Sequence, residues 1–152
     1  MRRKPPLLYN YPLVAALMSI ILAQVIKVPI SLITKRTWNM KLGFSTGGMP
    51  SSHSAAVCSL AAAVGIDEGF SSALFAIAVI VSAITMFDAA GIRRHAGIHA
   101  TFINRLMSAT SDRGRWDSSK ALKELLGHRP IEVVVGAIFG IFISIVLDFT
   151  IY

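Results

Sequence analysis

Four long apolar stretches separated by polar loops dominate the pattern of hydrophobic and polar positions along this chain. They run from about Tyr11 to Ile33, Ser52 to Ile66, Phe70 to Ala90 and Pro130 to Tyr152. A helix of about twenty apolar residues crosses a hydrocarbon core of about 30 Å, and the first, third and fourth stretches reach that length. The second is shorter and rich in alanine, and the tight turn at residues 67–69 makes it an antiparallel hairpin with the third. The pattern predicts an all-α bundle of about four transmembrane helices that forms a single domain over residues 1–152.

One face of the first apolar stretch is polar. Gln24, Lys27 and Ser31 lie at positions i, i+3 and i+7, which share a side of a helix. A lysine within a membrane helix is costly unless it faces protein, water or an anion. We therefore expect this face to look into the bundle.

The polar segment 91–129 contains two candidates for amphipathic helices in the membrane interface. The first carries five apolar side chains on one face, namely Ile98, Phe102, Ile103, Leu106 and Met107. The second is capped by Asp117 or Ser118, contains three leucines and stops at Gly127.

Composition and charge agree with a multi-pass integral membrane protein. Hydrophobic residues make up 54% of the chain and charged residues 15%, whereas about a quarter of the residues of a typical soluble domain are charged. The net charge of +7 suits loops that meet anionic lipid head groups or a phosphorylated substrate. With four crossings, loops 34–49 and 91–129 share one side of the membrane. They hold most of the cations, so the positive-inside rule predicts that this side is cytoplasmic.

Two other residue classes restrict the function. A single cysteine, Cys58, excludes an intrachain disulfide. Trp38, Trp116 and the tyrosines flank apolar stretches, so we interpret them as interface anchors rather than as a stacking platform for nucleic acid.

A glycine- and serine-rich run at residues 45–55 leads into the second apolar stretch. It reads Ser-Thr-Gly-Gly-Met-Pro-Ser-Ser-His-Ser-Ala, with Pro50 suited to a first helical turn. The free backbone N–H groups around Ser51 and Ser52, together with the positive end of the helix dipole, favour an anion. His53 lies at the mouth of that site, where it is placed to protonate a departing alkoxide or phosphate. The alternative is a capping loop with an interfacial histidine.

A second histidine precedes the fourth apolar stretch. His128 is followed four positions later by Glu132, about one helical turn away. A carboxylate at that reach can accept the imidazole N–H and leave the other ring nitrogen free to attack phosphorus. Alternatively, Glu132 complements the helix dipole and His128 is an ordinary loop histidine.

These runs resemble the second and third motifs of the type 2 phosphatidic acid phosphatase superfamily, which also includes vanadium haloperoxidases. The likeness is carried by Pro50-Ser51-Ser52-His53 and by His128-x-x-x-Glu132-Val133 followed by Gly136 and Gly140. Together with the run from Asp88 to Gly97, they look especially like its divergent branch of short membrane proteins. The resemblance covers nearly the whole chain. It implies metal-independent, cofactor-free hydrolysis of a lipid phosphate or polyprenyl pyrophosphate.

The resemblance also implies roles for individual residues. His128 is the nucleophile that forms a phosphohistidine, Glu132 stands where the family has an aspartate partner, and His53 is the general acid. The family's first motif, a lysine and then an Arg-Pro pair, is imperfect because no Arg-Pro pair precedes Pro50. The candidates for that motif are Lys27, Arg36 and Lys41.

The arginine that the family places a few residues before its nucleophile is also missing. Leu122 occupies that position, with Lys123 beside it as a phosphate-binding candidate. Arg93 and Arg94 are the proposed substitutes, and Asp88 is placed to orient one of them by ion pairing.

Three further expectations remain open at the sequence level. His95 and His99 are four residues apart, but Gly97 between them weakens a helix and no third metal ligand is placed by spacing, so we assign no metal site. The small residues Gly136, Gly140 and Ser144 offer a packing face and suggest a homodimer. The rival functions are a non-catalytic lipid-phosphate binder and a small transporter subunit, the latter suggested by Lys27 and Asp88 near lipid depth.

Overall fold

The chain folds into helices joined by short connections. The computed structural model describes residues 10–35, 48–110, 121–122 and 127–151, and within these ranges it contains five helices and no strand. They are α1 (Tyr11–Lys35), α2 (Ser52–Glu68), α3 (Ala73–Ala90), α4 (Ile92–Thr110) and α5 (Pro130–Ile151). Helices α1, α2, α3 and α5 correspond to the four apolar stretches, which confirms the predicted all-α bundle.

Helix α2 lies at the centre of the bundle, where it contacts α1, α3 and α5. Its buried positions are occupied only by serine, alanine, cysteine and glycine, and such small side chains let neighbouring backbones approach closely. Because its neighbours separate α2 from lipid, it does not need a strongly apolar surface. Within the described ranges, three other stretches are long and apolar enough to cross a membrane, at residues 11–33, 73–110 and 130–151.

The polar face of α1 looks inward, as the sequence predicts. Lys27 is only 3% exposed, Ser31 is buried and Gln24 is half-buried. Every fourth residue of α1 is buried, in the series Tyr11, Ala15, Ser19, Ala23, Lys27 and Ser31. This spacing produces a narrow inward stripe of small and polar side chains.

The small-residue stripe of α5 packs against neighbours in the same chain. A side chain at Gly136 would collide with the backbone carbonyl of Ser51, and one at Gly140 with that of Ala55. Ser144 is fully buried and its hydroxyl lies 2.9 Å from the Tyr11 hydroxyl. The homodimer stays a prediction, but this face no longer supports it, because α2 and α1 cover it.

The two ends of the bundle are built differently. At one end Tyr11, Ala15, Ala63 and Leu147 form a buried apolar cluster, close to the turn that joins α2 and α3. The start of α2, the end of α3 and the start of α5 meet at the other end. The two histidine-containing motifs therefore lie at the same end, as the four-crossing topology requires.

Helix α4 differs from the sequence expectation in length and continuity. Gly91 alone separates it from α3, and it continues through Gly97, which is buried. Gly97 therefore does not interrupt the helix, although glycine is unfavourable in a helix interior. The second amphipathic candidate lies mostly outside the described residues, and its described members Ala121 and Leu122 are not helical.

Candidate active site

A backbone hydrogen bond joins the two distant motifs. The N–H of Ser51, at the start of α2, donates to the carbonyl of Glu132 in the first turn of α5, with an N···O distance of 3.0 Å. The close contact between Gly136 and Ser51 lies one turn further along α5. Glycine at that position allows the backbones to approach, so the starts of α2 and α5 are fixed against each other.

This contact places the two imidazoles side by side. The ring centroids of His53 and His128 are 6.1 Å apart and the ring planes are inclined by 71°. His53 lies in the first turn of α2 and is exposed, whereas His128 is only 2% exposed. The rings are close enough together for one phosphate group to contact both of them.

The backbone around His128 is attached to the corner between α3 and α4. The N–H of His128 donates to the carbonyl of Ala89, at 3.1 Å. Gly127 has a φ of +85°, and a side chain there would collide with the backbone of Arg93 and Arg94. Both the backbone conformation and the available space therefore require glycine at position 127.

The surroundings of His128 favour the neutral form of its imidazole. Neither ring nitrogen has a hydrogen-bond partner in the part of the chain that the structure describes. Burial, followed by the positive charge of Lys27, lowers the pKa of His128 from 6.5 to about 4. At neutral pH the ring is therefore uncharged, and one nitrogen carries a lone pair.

Lys27 supplies a buried cation whose charge reaches the histidine pair. It extends from α1, and its charge acts on His53, His128 and Glu132. The sequence placed this lysine inside the bundle; the structure adds that it lies at the end where the motifs meet. An ammonium at this position can attract a phosphate or balance its charge.

Arg93 forms the ion pair that the sequence predicted with Asp88. Its Nε lies 2.7 Å from a carboxylate oxygen of Asp88, and the arginine side chain is 50% exposed. The Arg93 charge also acts on both His53 and His128, so the guanidinium lies on the same side of the bundle as the imidazoles. Arg94 is exposed, and its backbone packs against Gly127.

The two serines before His53 are buried at the start of α2. Ser51 is the N-cap, and its hydroxyl accepts hydrogen bonds from the Ser54 N–H at 3.3 Å and the Ser54 hydroxyl at 3.0 Å. Pro50 therefore precedes the cap rather than occupying the first helical turn as expected. The N–H groups of Ser52 and His53 belong to that first turn, which has no intrahelical acceptors for them.

Glu132 makes a contact different from the one its motif suggests. Its carboxylate accepts the backbone N–H of Arg129 at 3.0 Å, which is the glutamate half of a capping box at the start of α5. It does not bond to the imidazole of His128 in this conformation. The alternative weighed from the sequence, a residue that stabilises the helix start, describes the observed contact.

Three predicted phosphate-binding residues cannot be placed relative to this cluster. Arg36, Lys41 and Lys123 lie outside the described residues. His95 and His99 are exposed on α4, where they line an open concavity of about 480 Å³ together with Phe87 and Ile92. In the described ranges no three histidine, cysteine or acidic side chains are grouped as metal ligands.

Sequence reasoning missed two contacts between segments that are distant in the chain. One is the close approach of Gly127 to the backbone of Arg93 and Arg94. From the sequence, Gly127 is interpreted only as the end of a helix. The other is Asn104 of α4, whose side chain bonds to the backbone of Leu122. No local pattern predicts either contact, because each joins segments that are distant in the sequence.

Known proteins resemble nearly the whole chain, including the residues of this site. A family model described as "Divergent PAP2 family" matches residues 8–143, which include both histidines of the pair. A protein of Bacillus subtilis (strain 168), described as "Uncharacterized membrane protein YuiD", is 49% identical over 153 residues, which cover 94% of this chain and 97% of the relative. No solved structure matches the chain.

Proposed function

Because the chain belongs to the Divergent PAP2 family, we propose that it hydrolyses a lipid phosphate or pyrophosphate at the membrane surface through a phosphohistidine on His128. The observation that carries the proposal is the pairing of two imidazoles, 6.1 Å apart, at the starts of α2 and α5. Each supplies one of the two functions that phosphoryl transfer without a metal needs, a nucleophile and a proton donor.

In the first step His128 attacks phosphorus. A neutral imidazole is required, and the low pKa of about 4 keeps the ring unprotonated at physiological pH. As the N–P bond forms, the bond from phosphorus to the leaving oxygen breaks. Protonated His53 gives its proton to that oxygen, so the lipid alcohol or shortened phosphate departs without excess charge.

In the second step water replaces the histidine. Neutral His53 takes a proton from the water as its oxygen attacks phosphorus, and the N–P bond breaks. Inorganic phosphate leaves, while His128 returns to the neutral form and His53 to the protonated form. The two steps together consume one water, and neither a metal nor another co-reactant is needed.

Three sources of positive potential favour the phosphoryl group. They are the Lys27 ammonium, the Arg93 guanidinium and the first-turn amides of α2. The Nε of Arg93 donates to the Asp88 carboxylate, and the two terminal nitrogens of the guanidinium can then donate to phosphate oxygens. Preorganised charge of this kind stabilises a transition state without reorganisation.

Substrate access requires a movement. Both ring nitrogens of His128 are buried, so a phosphate reaches them only if a lining group shifts. His53 is exposed, and rotation of its ring is a simple way to open the site. The same enclosure also suits the rival function, in which the protein binds a lipid phosphate without cleaving it.

Purified protein in lipid vesicles tests the proposal. We expect release of inorganic phosphate from phosphatidic acid or a polyprenyl pyrophosphate, with or without a chelator. His128→Ala should lower the rate by at least about 10³-fold, as loss of a nucleophile does. The matched control is His99→Ala, which removes an exposed histidine from α4 and should leave the rate unchanged.

Trapping identifies the chemistry. Brief incubation with substrate labelled in the phosphate should give an acid-labile, base-stable label on the wild type and on the His99 variant, and none on the His128 variant. Tight binding of these lipids without any phosphate release would establish the non-catalytic rival instead.

A further inference from the structure

Three serines, one from each of three helices, are fully enclosed in the interior of the bundle. They are Ser19 of α1, Ser59 of α2 and Ser144 of α5, and each is 0% exposed. We infer that their hydroxyl groups form a binding site for an internal water molecule that joins α1, α2 and α5. The site is separate from the histidine pair, so the inference does not depend on the proposed reaction.

The packing of α5 on α2 places Ser144 beside Ser59. Gly140 lies against the backbone of Ala55, and the glycine contact one turn earlier in both helices has the same spacing. The two helices therefore run in the same direction, and the next turn of each reaches Ser144 and Ser59 together. Ser144 is also joined to α1, because its hydroxyl lies 2.9 Å from the Tyr11 hydroxyl.

The antiparallel packing of α1 on α2 brings Ser19 to the same level of the bundle. Ala15 and Ala63 belong to one buried cluster, at the end that is opposite to the histidine pair. One turn from there towards the histidine pair, α1 reaches Ser19 and α2 reaches Ser59. Because neither serine is exposed, both side chains face the interior, and the hydroxyl groups of the three serines converge on one region between the helices.

Two of the three hydroxyls have no hydrogen-bond partner in the part of the chain that the structure describes. They are those of Ser19 and Ser59. Other helical hydroxyls in this protein bond to the carbonyl four residues earlier in their own helix, as those of Thr85, Thr101 and Thr150 do. A buried hydroxyl without a partner costs free energy, and lipid around the bundle offers no replacement. A small polar molecule between the helices supplies what these two serines lack.

Water is the molecule that suits this site chemically. A serine hydroxyl both donates and accepts hydrogen bonds, and a buried water makes about two to four of them. A divalent cation would need several more oxygen ligands, and an anion would need cations or N–H donors. The buried neighbours of Ser19 one turn to either side on α1 are Ala15 and Ala23, which supply neither a charge nor a side-chain hydrogen bond.

A bound water reverses the expected effect of removing a hydroxyl. Replacing a buried serine whose hydroxyl is unpaired with alanine removes a polar group that has no partner, and such a change stabilises a protein. When the hydroxyl binds a water, the same replacement loses a hydrogen bond and leaves the water with fewer partners, so the protein is destabilised. Two replacements that act on one water are also non-additive, because the second removes what the first has already weakened.

Thermal unfolding of the full-length protein in detergent makes the first test. We expect Ser19→Ala and Ser59→Ala each to lower the Tm by about 2–4 °C, and the double variant to lose less than the sum of the two. Ser82→Ala is the control, because Ser82 is also buried but its hydroxyl donates to the carbonyls of Val57 and Ala78. Its loss of Tm should add to that of Ser19→Ala.

Solid-state NMR of the wild type in lipid vesicles makes the second test, and it decides the question even if a variant does not fold. Magnetisation should pass from water to the side chains of Ser19 and Ser59, and much less to that of Ser82. A raised Tm in either single variant, or additive losses in the double variant, would overturn the inference. Non-additive losses without transfer from water would also overturn it, since they would indicate a direct bond between the two hydroxyls.

Discussion

A buried imidazole that lacks hydrogen-bond partners costs free energy to protonate. His128 is 2% exposed and lies near the Lys27 ammonium, and both conditions disfavour the imidazolium. Burial and the Lys27 charge act on His53 in the same direction but more weakly, because its ring is exposed. The two rings therefore differ in degree, and His128 is the one more strongly held in the neutral form that a nucleophile needs.

The low pKa of His128 predicts an acid-sensitive fold. The unfolded chain takes up a proton at this residue below pH 6.5, whereas the folded protein does so only near pH 4. Stability from this group is complete above pH 6.5 and is lost as the pH falls towards 4, by about 3 kcal/mol in total. In detergent, thermal unfolding of His128→Gln should therefore change less between pH 7 and pH 4 than that of the wild type. Equal losses in the two proteins would show that His128 is not buried in the neutral form.

The observed contact of Glu132 makes a different kind of prediction. Glu132→Gln keeps an oxygen for the Arg129 N–H, so the helix start is preserved and kcat should fall by less than about tenfold. A carboxylate that orients a catalytic imidazole costs about 10⁴-fold when it is replaced by its amide. A loss of that size in Glu132→Gln would mean that the side chain turns to His128 during the reaction.

The sequence was sufficient to expect the two histidine motifs at one end of the bundle, Lys27 on an inward face and an ion pair of Asp88 with Arg93 or Arg94, and the structure shows these placements. Their roles in a reaction stay predictions. The sequence was not sufficient to choose the partner of Glu132. A glutamate in a first helical turn is within reach of both the preceding backbone and a nearby histidine. Only the three-dimensional position of the imidazole separates these two contacts.

At the scale of helices, hydropathy predicts α1, α3 and α5 closely because these helices present apolar side chains to lipid. Helix α2 is identified by its alanines and by the motif before it rather than by its hydropathy, since it is enclosed by other helices. The extent of α4 could not be predicted in the same way. Its buried glycine is destabilising in an isolated helix, and only packing against protein compensates for it.

The approach of α5 to α2 depends on glycine. Gly140→Ala would place a methyl group against the backbone carbonyl of Ala55, which cannot move without displacing the start of α2. We expect it to destabilise the protein by about 1–3 kcal/mol and to lower phosphatase activity, because His53 lies half a turn before Ala55. Ile138→Ala is the control, since Ile138 lies on the same helix with its side chain 64% exposed. Thermal unfolding in detergent should show a clearly larger loss for Gly140→Ala. Similar losses in the two variants would mean that the close packing of α5 on α2 is not needed.

For the molecule as a whole, charge is divided between the two ends of the bundle. Asp67 and Glu68 lie at the end of α2, and Asp148 lies near the end of α5, so one end is acidic. Arg93, Arg94 and Arg129 lie at the other end, with the histidine pair and the carboxylates Asp88 and Glu132. Because loops rich in lysine and arginine remain on the cytoplasmic side, we predict that the site opens towards the cytoplasm.

Single cysteines test this orientation in a Cys58→Ser background, which removes the buried native thiol. Glu68→Cys places a thiol on the turn between α2 and α3, and Thr110→Cys places one at the exposed end of α4. In right-side-out vesicles, a membrane-impermeant maleimide should label the cysteine at 68 and spare the one at 110. Inside-out vesicles should give the reverse. Labelling of both positions from the same side would contradict the four-crossing bundle, whereas a consistent inversion would keep the bundle and place the histidine pair on the outer surface. Since a lipid phosphatase acts on the leaflet that its pocket faces, the same labelling also identifies which leaflet supplies the substrate.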